Sequence, residues 1–248
     1  MSRTHAVSGA AVGVALFSTL SVPLPDLTAA GHELPARLPL TLGLGNMSAP
    51  YTAIMCLTVA ITALLPDWDT PASRVSTALP PVTQAVSRAL ARAGHRTLSH
   101  TPVGIALAAA LTATAAAPTV MLSGLLVRPG NGVMLMLVAA IGARSLGASN
   151  PLLLWGAGIM GLLSGATLPA TALWFMPVAV ALGMWVHRAG DALTTKGVEN
   201  PLWPFVRHPR VRLPLLGNAG GRREDRLGAL MSLYTVIGAA GMVASTWA

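Results

Sequence analysis

The sequence predicts an all-α protein, a polytopic transmembrane helical bundle of about seven spans, and three observations predict it. The chain is 53% hydrophobic and only 10% charged, whereas a soluble domain spends about a quarter of its residues on Asp, Glu, Lys and Arg. Its mean hydropathy is +0.64. The apolar residues gather in runs built from Ala, Leu, Val, Gly and Met, with aromatics at only 4%. Small residues of this kind let membrane helices approach closely. The same composition argues against a soluble domain and against a disordered chain.

The first apolar run covers residues 6–22 behind Arg3 and His5. It resembles a signal peptide in outline, but no clean small-x-small cleavage site follows, so a retained span is expected. Residues 23–46 read as a Pro- and Gly-bearing loop. A second span is expected from about 47 to 65, ending in Leu64-Leu65-Pro66-Asp67-Trp68-Asp69. Within the basic stretch 70–99, Val82, Ala85, Val86, Ala89, Leu90 and Ala93 recur at spacings of three and four, with Arg88 and Arg92 on the other face. That pattern predicts an amphipathic helix lying in the membrane interface, started by Pro81. A third span opens at Pro102 and is expected to run to about 127, where Arg128-Pro129-Gly130 breaks it. Two shorter runs, 133–147 and 151–165, fall below the roughly 20 residues of a usual span. A span over about 168–187, a polar Arg-rich segment 188–226 and a last span over 227–247 complete the chain. No internal repeat is evident.

Charge sets the orientation. The net charge of +8 comes from 16 basic and 8 acidic residues, and Lys196 is the only basic residue that is not Arg. The arginines concentrate between apolar runs, which fits the positive-inside rule and contact with anionic headgroups better than nucleic-acid binding. The loops 66–99 and 188–226 are the most basic and should both be cytoplasmic. An even number of crossings must then separate them, so 133–165 contributes two spans or none. Arg144 and its short turn favour two. Seven spans with a cytoplasmic N-terminus result; five spans plus a re-entrant hairpin is the alternative. Cys56, the single cysteine, provides no disulfide and no thiolate site.

The ionisable residues cluster by position. His5 precedes the first span, Asp67 and Asp69 end the second, His95 and His100 flank the start of the third, and His187 and Asp191 end the 168–187 span. Glu224 and Asp225 precede the last. In the topology above all of these share the cytoplasmic face, whereas His32, Asp26 and Glu33 fall outside. Boundary residues are usually Lys, Arg, Trp and Tyr, so His and Asp at four helix ends point to a purpose beyond anchoring. His187 and Asp191, four apart, share one helix face. Imidazole with carboxylate suits a divalent Zn, Mn or Fe ion better than Mg or Ca, one or two of them. The string Gly94-His95-Arg96-Thr97-Leu98-Ser99-His100-Thr101 opens a helix, where free backbone N–H groups beside Arg96 form an anion site. A metal beside an anion pocket suits phosphoester hydrolysis, with Arg96 holding the phosphate.

The strings LLPDWD (64–69), GHRTLSHT (94–101) and HRAGDALTTKGVENPLWPF (187–205) resemble those of the YdjM-like family of LexA-regulated, membrane-bound, metal-dependent hydrolases. That family carries an early His followed by Gly, an LLPDxD turn, an HRxxTHS segment, an HxxxDxxTxxG segment leading to Trp-Pro, a basic RxRLP strand and a late acid. His5 with Gly9, Asp67, Asp69, His95, Arg96, His100, His187, Asp191, Thr194, Gly197, Trp203 and Pro204 fall on this pattern, as do Arg212, Leu213 and Pro214. Ser99 stands where Thr is usual, Thr101 where Ser is usual, and Thr70 where His is frequent. The late acid is Glu224 or Asp225.

The resemblance implies an integral inner-membrane hydrolase. It makes His5, Asp67, Asp69, His95, His100, His187 and Asp191 the candidate metal ligands or orienters of metal-bound water, and Arg96, His100 and Glu224 the candidate catalytic residues. The expected substrate is a phosphoester of a lipid or another amphiphile entering from the inner leaflet. An ion or metal transporter is the first alternative, although a transport route needs polar groups near the bilayer midplane and the middles of these runs are apolar. A non-catalytic membrane scaffold linked to a DNA-damage response is the second. A serine hydrolase is disfavoured because no Gly-x-Ser-x-Gly is present.

Overall fold

The computed structural model of the chain describes residues 2–23, 28–29, 32–33, 37–92, 94, 96–169, 174–203, 205–206 and 209–245. The described residues are mostly helical, with eight α-helices: α1 (Ser2–Phe17), α2 (Ala49–Thr62), α3 (Val82–Ala91), α4 (Pro102–Ala116), α5 (Pro129–Ser145), α6 (Pro151–Ala166), α7 (Phe175–Ala192) and α8 (Arg222–Ser245). Two stretches, Ala49–Asp69 and Arg222–Ala244, are long and apolar enough to cross a membrane, and Pro102–Ala116 and Pro151–Ala166 are shorter apolar helices. Among the described residues, two stretches thus reach full-span length and apolarity, against the seven spans expected.

The helices start and stop where local chemistry directs. Thr101 caps α4, its side-chain oxygen accepting from Gly104 N at 3.1 Å, with Pro102 in the first turn. Asn150 caps α6 by accepting from Leu152 N at 2.9 Å. Pro66 ends α2, and the chain continues through a 3-10 turn over Leu65–Asp69. The helix of the expected third span, α4, is shorter than the apolar run that predicts it. It stops at Ala116, with Ala117 still in helical geometry, because Pro118 has no N–H with which to continue the ladder. Val120–Leu122 and Leu125–Val127 then pair as an antiparallel ribbon. Its turn residues Ser123 and Gly124 both have positive φ, +49° and +83°, as a tight two-residue hairpin turn requires.

The loop expected over 23–46 also contains ribbon, Ser21–Pro23 against Arg37–Pro39 and Thr28–Ala29 against His32–Glu33. Asp26 lies outside the described residues. The last two helices differ in extent from the apolar runs: α7 spans Phe175–Ala192 and α8 starts at Arg222. The amphipathic helix is present as α3. It turns Thr83 and Ser87 inward, both fully buried, and leaves Val82 and Val86 exposed. An apolar face left uncovered by protein suits a helix in the interface.

Packing relies on small residues. α1 lies against α2 so closely that a Cβ on Gly9 would meet Val59 O at 2.7 Å, and one on Gly13 would meet Cys56 Cα at 2.9 Å. This small-xxx-small approach is typical of membrane helices. Val14, Met55, Val59, Ile61, Ile141 and Met176 are at the heart of the core. By contrast, Leu230, Leu233, Val236 and Ile237 of α8 are more than half exposed, as are Leu152 and Leu153 of α6. A broad apolar exterior of this kind is unusual for a soluble monomer.

Two sets of contacts position the ends of α5 and α6. Arg74 Nη1 donates to Ser145 O at 2.8 Å, and Arg144 Nε donates to Thr77 Oγ1 at 3.0 Å. The end of α5 is thereby fastened to the stretch that follows Asp69. At the opposite end Arg128 N donates to Ala166 O at 2.8 Å and its Nη1 to Leu168 O at 2.7 Å. α5 and α6 form one antiparallel helical hairpin.

Candidate metal centre

Four segments converge at one end of the bundle: the start of α1, the 3-10 turn after α2, the 3-10 turn Leu98–His100 before α4, and the last turns of α7. They bring together His5, Asp67, Asp69, Arg96, His100, His187 and Asp191. His95 lies outside the described residues. His5, Asp69, His100, His187 and Asp191 are all buried, and His100 and His187 are fully so. The Asp67 side chain is 24% exposed, which makes it the cluster's point of contact with the exterior.

The hydrogen bonds define how the two central histidines are oriented. His187 Nδ1 is 2.7 Å from Ala63 O, and a carbonyl can only accept, so that nitrogen carries the proton. Ser99 Oγ donates to Asp69 Oδ2 at 2.8 Å and lies 3.0 Å from His100 Nδ1. With its own proton given to Asp69, Ser99 Oγ accepts from His100 Nδ1. In both neutral rings Nε2 is thus the acceptor nitrogen, and the two Nε2 atoms face each other at 3.1 Å. Two lone pairs at that distance require a cation, a proton or a metal ion, between them.

The surroundings fit a metal ion. Asp191 Oδ2 lies 3.6 Å from each of the two Nε2 atoms and is buried with no hydrogen-bond partner among the described residues. Asp67 Oδ1 is 3.8 Å from His187 Nε2. The ligand atoms of Asp67, His100 and His187 lie within 4.8 Å of one another, as do those of His5, His187 and Asp191. A tetrahedral ion with bonds of about 2.0–2.2 Å holds its donors roughly 3.3–3.6 Å apart, close to the spacing seen. An orphaned carboxylate oxygen beside two acceptor nitrogens is the donor set such an ion needs.

The remaining residues hold this set in place. His5 stacks on His187 with ring centroids 3.9 Å apart, and its Nε2 is 3.5 Å from Asp191 Oδ1. Gly190 makes room for it, since a Cβ there would lie 3.1 Å from the His5 ring. Asp69 sits on the Nδ1 side of His100, 3.5 Å away, and accepts from Ser99 Oγ and from Arg96 N at 3.0 Å. It orients His100 rather than joining the donors that face the centre. Burial lowers the His100 pKa, a shift that outweighs the raising pull of Asp69. His100 therefore stays neutral, and able to donate a lone pair, to lower pH than a free histidine.

Arg96 has a different setting from the expected anion pocket. Its Nη2 pairs with Asp191 Oδ1 at 3.0 Å and its Nη1 donates to Gly197 O at 3.0 Å, so the guanidinium is already engaged. At the helix start beside it, the Thr101 cap takes up one backbone N–H, that of Gly104. Of the two late acids, Glu224 is buried and accepts from Gly220 N at 2.7 Å, whereas Asp225 is exposed. Glu224 shares the lining of a cavity of about 190 Å³ with Thr4 and His5.

Sequence reasoning missed Arg188. It is buried, donates to His100 O and, at 3.1 Å, to Glu199 O, and so ties α7 to the turn before α4. An Arg next to a His at a span end reads as an ordinary positive-inside charge, which hides this role. Glu199 in turn holds Arg210 with bonds of 2.7 and 3.0 Å. Val198 pairs with Val211 across an antiparallel bridge, and Gly197, at φ +63°, lets Val211 come close. The HxxxDxxTxxG and RVRLP strings are thus folded onto each other beneath the cluster.

Fold and site together define a helical membrane protein with a buried His/Asp cluster at one end of its bundle that is able to hold a metal ion. The chain belongs to the YdjM inner membrane protein family, whose model matches residues 1–248, and its place is accordingly the inner membrane. No curated protein and no solved structure matches it.

Proposed function

We propose that this protein is a metal-dependent hydrolase of the inner membrane that cleaves a phosphoester of an amphiphile at the cytoplasmic ends of its helices. The observation that carries this reading is the 3.1 Å approach of His100 Nε2 to His187 Nε2 with the unpartnered Asp191 Oδ2 beside them. His100, His187 and Asp191 are the ligands in this reading. A divalent ion bound there would supply an acidified water and a positive charge for the developing oxyanion. Asp67, the one partly exposed acid of the set, is placed to accept the proton of the attacking water or to complete the ligand set. Arg96 holds Asp191 in register, and Asp69 with Ser99 fixes the His100 tautomer, as partners of metal ligands commonly do. Water adds to phosphorus, the ester P–O bond breaks, and the alcohol leaves with a proton.

Seven spans with a cytoplasmic N-terminus form the second part of the proposal. The cluster takes the start of α1, the end of α2, the start of α4 and the end of α7, and Arg74 and Arg144 fasten the end of α5 to the same side. The helices other than α3 therefore alternate in direction. A cluster at helix ends also sits away from the bilayer midplane, which favours hydrolysis over transport.

The first test is the metal content of the detergent-purified protein by elemental mass spectrometry, beside His187→Ala and Asp191→Ala. Stoichiometric metal in the wild type, lost in both variants, is expected. A metal-free wild type after incubation with Zn, Mn and Fe(II) would overturn the hydrolase reading.

A further inference from the structure

Beside the cluster lies an apolar cavity of about 350 Å³ between α2, α3, α4, α5 and α7. We infer that it is the binding site for a single linear alkyl chain of the amphiphile whose head group reaches the His/Asp cluster. The inference rests on the proposed hydrolase and names its substrate class. Three features identify the occupant.

The cavity abuts the site. Ser99 lines it and also hydrogen-bonds Asp69 at 2.8 Å, the residue that orients His100. A guest filling the cavity therefore has one end at Ser99, which lies 3.0 Å from His100 Nδ1. The cavity also opens toward lipid. Leu107 and Leu111 of α4 and Val86 of α3 line it and are exposed by 51%, 69% and 37%, so its mouth lies between the interfacial helix and α4. A bilayer chain enters there without crossing water.

Its interior has nothing to offer a polar guest. The hydroxyls among its lining residues are already committed: Thr62 Oγ1 donates to Ala179 O at 2.8 Å, Thr112 Oγ1 to Ala108 O at 2.8 Å, and Ser99 Oγ to Asp69. The remaining walls, such as Val138, Ile141 and Met184, are apolar and buried. A volume near the lower end of the roughly 300–1,000 Å³ of ligand pockets suits one chain rather than a two-chain body. The second chain of a phospholipid would stay in the bilayer.

The test uses the full-length protein in nanodiscs and a dodecyl phosphate carrying a diazirine at the chain terminus. Photolabelled residues are mapped by peptide mass spectrometry in the wild type, in Ala108→Trp, which fills the cavity, and in Leu111→Trp, which narrows its exposed mouth. Labelling is expected on the cavity-facing residues of α4 and α5, and to fall roughly tenfold in Ala108→Trp, since each buried methylene lost is worth several-fold in affinity. Metal content of both variants should match the wild type. Labelling spread over Leu152, Leu230 and Leu233, equal in all three proteins, would overturn the inference.

Turnover of ethyl and dodecyl para-nitrophenyl phosphate is measured alongside. Preference for the dodecyl ester that disappears in Ala108→Trp, while ethyl turnover persists, supports both readings. Cavity labelling without hydrolysis of either ester keeps the chain site and removes the hydrolase.

Discussion

Arg96 adopts φ +62°, a left-handed conformation uncommon for residues other than glycine. The strain is held by three bonds: its backbone N–H to Asp69, and its guanidinium to Asp191 and Gly197. Replacing it by Ala leaves Asp191 buried without its cationic partner, a change that costs about 3–5 kcal/mol in buried pairs. Arg96→Ala should lower metal affinity about 10–100-fold, the usual effect of losing a partner of a metal ligand, as read by competition with a fluorescent chelator. Acid should act on the same centre. Metal competes with protons for imidazole, and an ordinary histidine protonates near pH 6.5. Because burial holds His100 below that value, bound metal should persist through about pH 6.5 and be lost only at lower pH, as followed by elemental analysis after dialysis at stepped pH. Loss beginning well above pH 7 would show that His100 is not a limiting ligand.

At the scale of elements, glycine decides how closely helices pack. On α6, Gly161 faces Leu135 O and Gly165 faces Asn131 O, where a Cβ would stand 2.5 Å from the carbonyl oxygen. Gly165→Leu should therefore push α6 off α5 and destabilise by about 1–3 kcal/mol or more, lowering the thermal midpoint in detergent. Trp68 joins the turn after α2 to α3 by donating from Nε1 to Thr83 O at 2.9 Å. Trp68→Phe, which keeps the ring but drops the donor, should cost about 1 kcal/mol and loosen the wall of the alkyl cavity. These devices differ in how readable they are from sequence. α3 is legible because its apolar spacing and Pro81 are local. The end of α4 is legible in principle, since Pro118 and Ser123-Gly124 are turn signals, but the apolar residues on both sides of them mask it. The carbonyl contacts of Gly161 and Gly165 depend on which helix lies alongside, and no local pattern states that.

For the whole molecule, the sequence reveals that His and Asp occupy helix ends on one side, and this alone groups His5, Asp67, His100, His187 and Asp191. It does not reveal the division of labour among them. That Asp69 lies behind His100, that Arg96 is bound to Asp191, and that Arg188 bridges to the His100 carbonyl are facts of three-dimensional register. Orientation is testable at this scale. In a Cys56→Ser background, Ser123→Cys should react with a membrane-impermeant maleimide from the periplasm of intact cells, and Arg92→Cys only after permeabilisation. The reverse pattern would invert the proposed topology.

The centre draws its side chains from His5 at the first helix to Asp191 at the seventh. A chain inserted helix by helix during synthesis thus carries the first of these groups long before the last arrives. No fragment that ends ahead of α7 can assemble it. Until then, Asp67 and the histidines remain separate polar groups in an apolar setting, each best accommodated by staying at the water boundary. Occupancy of the centre would then report that translation and insertion are complete. A chain stalled partway would lack this cross-brace and present loosely held helix ends to membrane proteases.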